Sequence, residues 1–149
     1  MGDILVKYLF LTQEFYTTYN ETDYPEIERK SERPYILVKI NIDGLDFGIP
    51  LRSGVNHKYA LWTDKANHCG ADYSKAVLIL DESYIDVTDP YVRPNEHNVL
   101  KGKEYLLKNG FESYINKYKK SLNKLHIKQC KDICDFSTLQ YYHKELSID

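Results

Sequence analysis

Seven residues between positions 24 and 59 combine positive charge with hydroxyl and imidazole groups. They are Tyr24, Lys30, Arg52, Ser53, His57, Lys58 and Tyr59. Cleaving an RNA phosphodiester without a metal requires such groups. A base takes the proton from the attacking 2′-hydroxyl, cations stabilise charge on the phosphoryl oxygens, and an acid protonates the leaving 5′-oxygen. Lys and Arg supply cations, a desolvated Lys can act as base, and His transfers protons near neutral pH.

Each member of this set also has a structural interpretation. Lys30 lies in the charged segment 28–33 and is compatible with a solvated surface side chain. Ser53, followed by a glycine, is compatible with an ordinary turn, and Tyr24 with simple packing. His57 is compatible with a structural hydrogen bond. Only the convergence of these residues in the folded chain would favour chemistry.

The rest of the sequence carries no recognisable cofactor or metal motif. Neither a glycine-rich phosphate loop nor a nucleophile elbow nor a zinc-binding helix motif occurs. Cys130 and Cys134 are four residues apart, and His126 precedes them by four, but no fourth ligand stands at a recognisable spacing. We therefore favour buried thiols over a zinc site, and we expect no cofactor and no metal.

A β-hairpin is the clearest element that would position these residues. Two apolar, β-branched segments, 35–42 and 45–51, flank Asp43-Gly44, which is a strong signal for a two-residue hairpin turn. The second strand ends directly at Arg52 and Ser53. We therefore expect a rigid strand to hold both side chains at its end.

The remaining pattern predicts strands first and helices afterwards. Thr12 is a candidate N-cap for a short helix, and Pro25 a candidate first residue of a helical turn. Strands are predicted at 3–10 and 76–80, and a further one at 84–87, while 67–73 is predicted as a loop. Beyond residue 100 the apolar residues recur at helical spacing, and Asn109-Gly110 is predicted to separate two helices. The last helix is predicted to begin at Asp135 or Ser137. Its apolar stripe comprises Leu139, Tyr142 and Leu146.

The length of 149 residues and this order of elements predict one domain over residues 1–149. We expect an α+β fold with a twisted antiparallel sheet and a mainly helical C-terminal part. No apolar segment approaches the length of a membrane span, and Asp3 stands where a signal peptide needs positive charge. Three cysteines without a CxxC pair fit a reducing compartment. A cytoplasmic protein without membrane contact is therefore expected.

Charge and tyrosine are distributed in a way that suits a polyanionic partner. Residues 1–100 carry a net charge of −6, whereas residues 101–149 carry +4, and the chain has 14 Tyr against one Trp. Phosphates attract lysines, and unpaired bases stack on aromatic rings. A solvated helix face with half-buried tyrosines would have the same composition. The lysines that we predict as RNA contacts in this part are Lys117, Lys119, Lys120 and Lys124.

Several segments, in order, resemble a known family of ribonucleases. They are YPEIERKSERPY (24–35), IPLRS (49–53), HKYALWTD (57–64), CGADYSKAVLI (69–79) and LQYYHKEL (139–146). Together they resemble the toxin endoribonucleases of type III toxin–antitoxin systems, the ToxN/AbiQ-like proteins, and most closely the CptN branch. The resemblance spans most of the chain, and it implies a single compact α+β domain with a highly twisted antiparallel sheet and surrounding helices.

The resemblance implies a specific activity and specific partners. Such toxins cleave RNA without a metal and leave a 2′,3′-cyclic phosphate and a 5′-hydroxyl. Their antitoxin is a small repetitive RNA, which the toxin processes into pseudoknots that then occlude the site. Toxin and RNA form closed assemblies of the 2:2 or 3:3 type, cellular mRNA is the substrate, and many systems abort phage infection.

The resemblance also implies roles for individual residues. The catalytic lysine of the family falls on Lys30, and its serine after the second hairpin strand on Ser53. Tyr24 heads the first of these motifs. Arg52 is the candidate for charge stabilisation and His57 for proton transfer. The segment His57-Lys58-Tyr59 is expected to line the RNA path, with Lys58 and Tyr59 as RNA contacts. Arg33 is a further predicted RNA contact.

The residues alone are also compatible with two other functions. An RNA-binding module without catalysis would keep the lysines and tyrosines and use Lys30 and Ser53 only for contacts. A protein-interaction domain would purify without nucleic acid.

Overall fold

The computed structural model describes residues 6–29 and 35–148. Within these ranges the chain forms an antiparallel sheet of six strands with four α-helices. The strands are β1 (Lys7–Leu9), β2 (Leu37–Ile42), β3 (Leu45–Arg52), β4 (Ala60–Asp64), β5 (Cys69–Asp72) and β6 (Val77–Leu78). The helices are α1 (Gln13–Thr18), α2 (Pro94–Leu100), α3 (Glu104–Ser121) and α4 (Lys128–Phe136). The α+β class and the helical C-terminal part are confirmed. No helix in the described ranges has both the length and the hydrophobicity that crossing a bilayer requires.

The predicted hairpin is confirmed in its position and its turn. Strands β2 and β3 pair antiparallel from Leu37↔Pro50 to Ile42↔Leu45. Asp43 and Gly44 both have positive φ, at 50° and 85°, as a two-residue primed turn requires. The register carries β3 to its end at Arg52, so this side chain projects from a strand that is paired on both edges.

Strand β3 exchanges partners near Pro50. Its first half pairs with β6 through Phe47↔Leu78, and its last residues pair with β5 through Arg52↔Gly70. The chain between β5 and β6 makes a short 3-10 helix, Tyr73–Lys75. This turn therefore lies beside the end of β3, next to Arg52.

The sheet curls so that helix α2 contacts both of its edge strands. The strand order is β1-β2-β3-β5-β4, with β6 beside β3. Helix α2 packs against β4, while His97 of α2 accepts or donates a hydrogen bond with Tyr8 of β1 at 2.8 Å. Opposite edges of a flat sheet would be too far apart for this contact, so the sheet is curved. Helix α3 packs against the sheet, and in the core between them the rings of Phe111 and Phe47 have centroids 4.9 Å apart.

Segment 67–73 is a strand for most of its length, so the predicted loop is wrong. Its residues 69–72 form β5, which pairs with both β3 and β4. Glycine and aspartate are poor strand formers, so the composition of this segment did not indicate a strand. Gly70 is nevertheless required here, because a Cβ on it would lie 2.6 Å from the Leu61 carbonyl oxygen.

The predicted break at Asn109-Gly110 is also wrong, because α3 continues through both residues. Gly110 is present for packing. Its missing side chain makes room for Tyr73, whose hydroxyl donates to the Leu107 carbonyl at 3.2 Å. The low helix propensity of asparagine and glycine is a weak preference, and tertiary contacts such as this one override it.

The other local predictions have mixed outcomes. Thr12 caps α1, accepting a hydrogen bond from the Phe15 amide, as predicted. Pro25 begins only a hydrogen-bonded turn, and residues 84–87 form no strand beyond a single bridge at Ile85. Ser137 caps a 3-10 helix, whereas Asp135 lies inside α4. The predicted stripe of Leu139, Tyr142 and Leu146 is buried in the core.

Candidate active site

A buried carboxylate, Asp72, is the centre of a polar cluster at the end of β3. Its side chain is fully buried and makes an ion pair with Arg52 Nη1. Its Oδ1 accepts hydrogen bonds from the Ser74 amide at 3.0 Å and from the Ser74 hydroxyl at 2.6 Å. The same oxygen lies 3.1 Å from His57 Nε2. Three side chains from three separate segments are thereby held on one carboxylate.

The charge state of Asp72 follows from these contacts. Burial raises the pKa of a carboxyl group, but here the hydrogen bonds from His57 and Ser74, together with the charge of Arg52, outweigh it. The Asp72 pKa is therefore lowered, and the group is an anion at neutral pH.

Arg52 is shared between two carboxylates. Its Nη2 lies 3.2 Å from Glu28 Oε1, and its Nη1 is paired with Asp72. Burial lowers the Arg52 pKa, but the two acids raise it by more, so the guanidinium stays charged. Glu28 is partly exposed and Asp72 is not, so the outer edge of the guanidinium is the one that an incoming anion could reach.

His57 has both ring nitrogens in hydrogen bonds. The Tyr59 amide donates to its Nδ1 at 3.0 Å, so Nδ1 is an acceptor and the neutral ring carries its proton on Nε2. That proton points at Asp72 and at the Ser74 hydroxyl, 3.1 Å away. The arrangement resembles the base-and-orienter pairs of acid–base catalysts, but His57 could accept a proton only after releasing the Tyr59 amide.

A cavity of about 550 Å³ adjoins this cluster. Its size is within the range of small-ligand sites, roughly 300–1,000 Å³. Twelve described residues line it: Glu28, Arg52, Asn56, His57, Tyr59, Ser74, Lys75, Tyr114, Gln129, Asp132, Ile133 and Phe136. A smaller cavity, about 350 Å³, lies between the hairpin turn and α3 and includes Lys119 in its wall. Of these two cavities, only the larger one is lined by Arg52, His57 and Tyr59, which the sequence placed in the predicted site.

The structure brings some of the predicted site residues together and separates others. Arg52, His57 and Tyr59 line the larger cavity. Ser53 is exposed directly after β3 but is not among the described lining residues. Tyr24 also lies outside that lining and packs against Tyr19 and Tyr141, with centroids 5.0 and 4.9 Å apart.

The predicted cations within the described residues lie on two parts of the chain, the loop between β3 and β4 and the end of α3 with the turn after it. Lys58 is exposed, with its ammonium 5.7 Å from the Tyr59 ring centroid. Lys117, Lys120 and Lys124 are exposed along the end of α3 and the turn after it. Lys30 and Arg33 lie outside the described residues, so their positions stay predictions.

Sequence reasoning missed the acids and the α4 wall of the site. Glu28 and Asp72 lie directly against Arg52, although the predicted constellation contained no carboxylate. Asp72 followed by Ser74 is a capping pattern that could have indicated the 3-10 turn. No local signal indicated that Arg52 would meet this turn, because the two are joined only through the pairing of β3 with β5.

Comparisons of the chain with protein-family models, with curated proteins and with solved structures find no match. Within the described residues, no group of three or more His, Cys, Asp or Glu side chains is arranged to hold a metal ion.

Proposed function

We propose that this protein is a metal-independent endoribonuclease toxin of a type III toxin–antitoxin system. It would cleave RNA by attack of a 2′-hydroxyl on the adjacent phosphorus, leaving a 2′,3′-cyclic phosphate and a 5′-hydroxyl. Its partners would be cellular mRNA as substrate and a pseudoknot RNA antitoxin, which it processes and which then inhibits it.

One observation carries the proposal. Arg52, at the end of a rigid strand, lies in the same hydrogen-bonded cluster as His57, and both line a cavity of about 550 Å³. A guanidinium can bind a phosphoryl group by two parallel hydrogen bonds, and an imidazole can move protons. Lys30 and Ser53 are assigned to the scissile phosphate by the sequence resemblance.

The cluster is not strongly cationic in its described part. Glu28 and Asp72 oppose Arg52, and Glu26 pairs with Lys75 at 2.9 Å. A substrate phosphate would therefore have to compete with Glu28 for the guanidinium. Both ring nitrogens of His57 are also in hydrogen bonds. This favours, as a second candidate, the RNA-binding module without catalysis, which needs no free base in the cavity.

Cleavage in the presence of EDTA distinguishes the two candidates. The protein is purified with its upstream repeat RNA and then freed of it, and the RNA-free protein is assayed on an RNA pool. The 3′ ends of the copurified RNA and of the products are tested for cyclic phosphate. We expect cyclic-phosphate ends from the wild type and a loss of about 100-fold or more in Lys30→Ala, Ser53→Ala and His57→Ala, which is typical for removal of an acid–base group.

Ser113→Ala is the matched control, because Ser113 is an exposed serine on α3 outside the cavity lining. Full activity in all three site variants would contradict the site assignment. RNA binding without any cleavage by the wild type would support the second candidate. Binding to single-stranded RNA should weaken with salt, with a log–log slope of about 0.7 per phosphate contact. If the purified protein binds no RNA, the remaining alternative is the protein-interaction domain.

A further inference from the structure

One wall of the larger cavity comes from helix α4. Gln129, Asp132, Ile133 and Phe136 line it, at spacings of three, four and seven residues from the first. These spacings place the four side chains on one face of the helix. This face lines the same cavity as Arg52.

Phe136 is an exposed aromatic ring at the mouth of this cavity. Its side chain is 58% exposed, although Phe is usually buried. Among the described residues its ring stacks on no other aromatic side chain. A single exposed Phe needs no explanation in general, but this one borders a cavity that contains a guanidinium.

The backbone of Phe136 is tied to the polar cluster. Its carbonyl accepts a hydrogen bond from Lys75 Nζ at 2.8 Å, and the same ammonium is bound to Glu26 at 2.9 Å. Lys75 directly follows Ser74, which is bonded to Asp72. The backbone at Phe136 and the guanidinium of Arg52 are therefore linked through Lys75, Ser74 and Asp72 by a short chain of contacts.

Gln129 is the polar side chain on the α4 wall that is free to hydrogen-bond with a ligand. Asp132 is paired with Lys128 at 2.8 Å, whereas the Gln129 side chain has no hydrogen-bond partner among the described residues. A carboxamide both donates and accepts, and it can make a bidentate pair with the edge of a nucleobase.

We propose that the α4 wall is a nucleobase subsite, in which Phe136 stacks on the base of a nucleotide flanking the phosphate at Arg52 and Gln129 hydrogen-bonds to its edge. The inference rests on the proposed function, because it takes the ligand to be RNA. Stacking tolerates every base, so Phe136 supplies affinity. Edge contacts differ between bases, so Gln129 supplies sequence preference at one position.

The test uses Phe136→Ala, Phe136→Trp and Gln129→Met in the full chain. Binding is measured with an RNA oligonucleotide that carries a 2′-deoxy residue at the cleavage position, so that no cleavage occurs. Cleavage positions are read by sequencing the products of a random RNA pool. The Phe136→Trp variant also reports stacking directly through quenching of its indole fluorescence, with the wild type providing the signal of the native Trp62.

Loss of one stacking contact corresponds to roughly 10-fold weaker binding. We therefore expect Phe136→Ala to raise the Kd by about that factor, and Phe136→Trp to keep the wild-type value and be quenched by RNA. Gln129→Met should relax the base preference at a single position next to the cut. Tyr91→Ala is the control, because Tyr91 is another exposed aromatic residue but lies outside the cavity lining.

The inference would be overturned by an unchanged Kd in Phe136→Ala or by unquenched indole fluorescence in Phe136→Trp. In that case, cleavage by the wild type would still support the proposed function. An unchanged base preference in Gln129→Met would overturn the role of Gln129. If the wild type binds RNA without cleaving it, the proposed function fails and the Kd values alone decide the inference. If the wild type binds no RNA, both fail.

Discussion

Replacing Asp72 by Asn tests the view that one buried carboxylate holds the site together. The substitution keeps the shape of the side chain and removes its charge. An amide can still accept from Ser74 through its oxygen, but its NH2 group would then face the Arg52 guanidinium, donor against donor. Arg52 would be left without its buried partner, and only the partly exposed Glu28 would remain.

The cost follows from the burial of this pair. Removing one partner of a buried ion pair costs about 3–5 kcal/mol, because the other charge is left uncompensated. Arg52 is partly exposed and keeps Glu28, which reduces the cost, so we expect about 3 kcal/mol. For a chain of this size that corresponds to a Tm lower by roughly 6–12 °C. Asp46→Asn is the control, since its ion pair with Lys39 is long, at 3.9 Å, and half exposed, and it should cost below about 1 kcal/mol.

The pH dependence gives a second readout of the same interaction. The Asp72 pKa is lower in the folded protein than its ordinary value of 3.8. The ionised Asp72 therefore contributes its full stabilisation at any pH above the pKa that this group has in the unfolded chain. The stabilisation is lost as the pH falls through the lower pKa of the folded protein. The difference in unfolding free energy between wild type and Asp72→Asn should be constant near neutral pH and shrink in acid.

Urea unfolding of both proteins at several pH values measures this difference. A cost below about 1 kcal/mol at pH 7 would refute the reasoning, because it would mean that Arg52 needs no buried partner. A difference that stays the same into strong acid would show that the charge of Asp72 is not its origin.

Two further substitutions test contacts elsewhere in the structure. Gly110→Ala should destabilise the protein by roughly 1–3 kcal/mol in thermal unfolding, although alanine is the better helix former, because its Cβ would lie 2.3 Å from the buried Tyr73 hydroxyl oxygen. Part of this cost should disappear in a Tyr73→Phe background, and a higher Tm for the single variant would contradict the argument. Glu28→Gln should tighten binding of a non-cleavable RNA by up to about 5-fold at low salt, since it frees Arg52 from a partly exposed ion pair. Equal Kd values for Glu28→Gln and wild type, with Glu21→Gln as the exposed control, would show that Glu28 does not compete with phosphate.

Local sequence patterns were sufficient wherever neighbours along the chain decide the structure. The hairpin follows from Asp43-Gly44 between two β-branched segments, since the turn needs positive φ at both residues. The cap at Thr12 and the succession of strands and helices have similarly local causes. The placement of Arg52 at a strand end was therefore predictable.

The two main errors arose where distant residues override local preference. Gly70 and Gly110 both suggested a loop or a break, yet each lies inside a regular element because another part of the chain occupies the space of its missing side chain. A glycine that serves close packing and a glycine that serves a turn look alike until the partner is known.

The amino-acid pattern alone thus established the α+β class, the hairpin and one cationic strand end, all of which depend on interactions over a few residues. The composition of the cavity was settled by tertiary structure. Arg52 meets Asp72 across 20 positions, and Lys75 meets the Phe136 carbonyl across 61. Those contacts result from strand pairing and from the docking of α4. No local pattern encodes them, because they depend on which surfaces bury together when the chain folds.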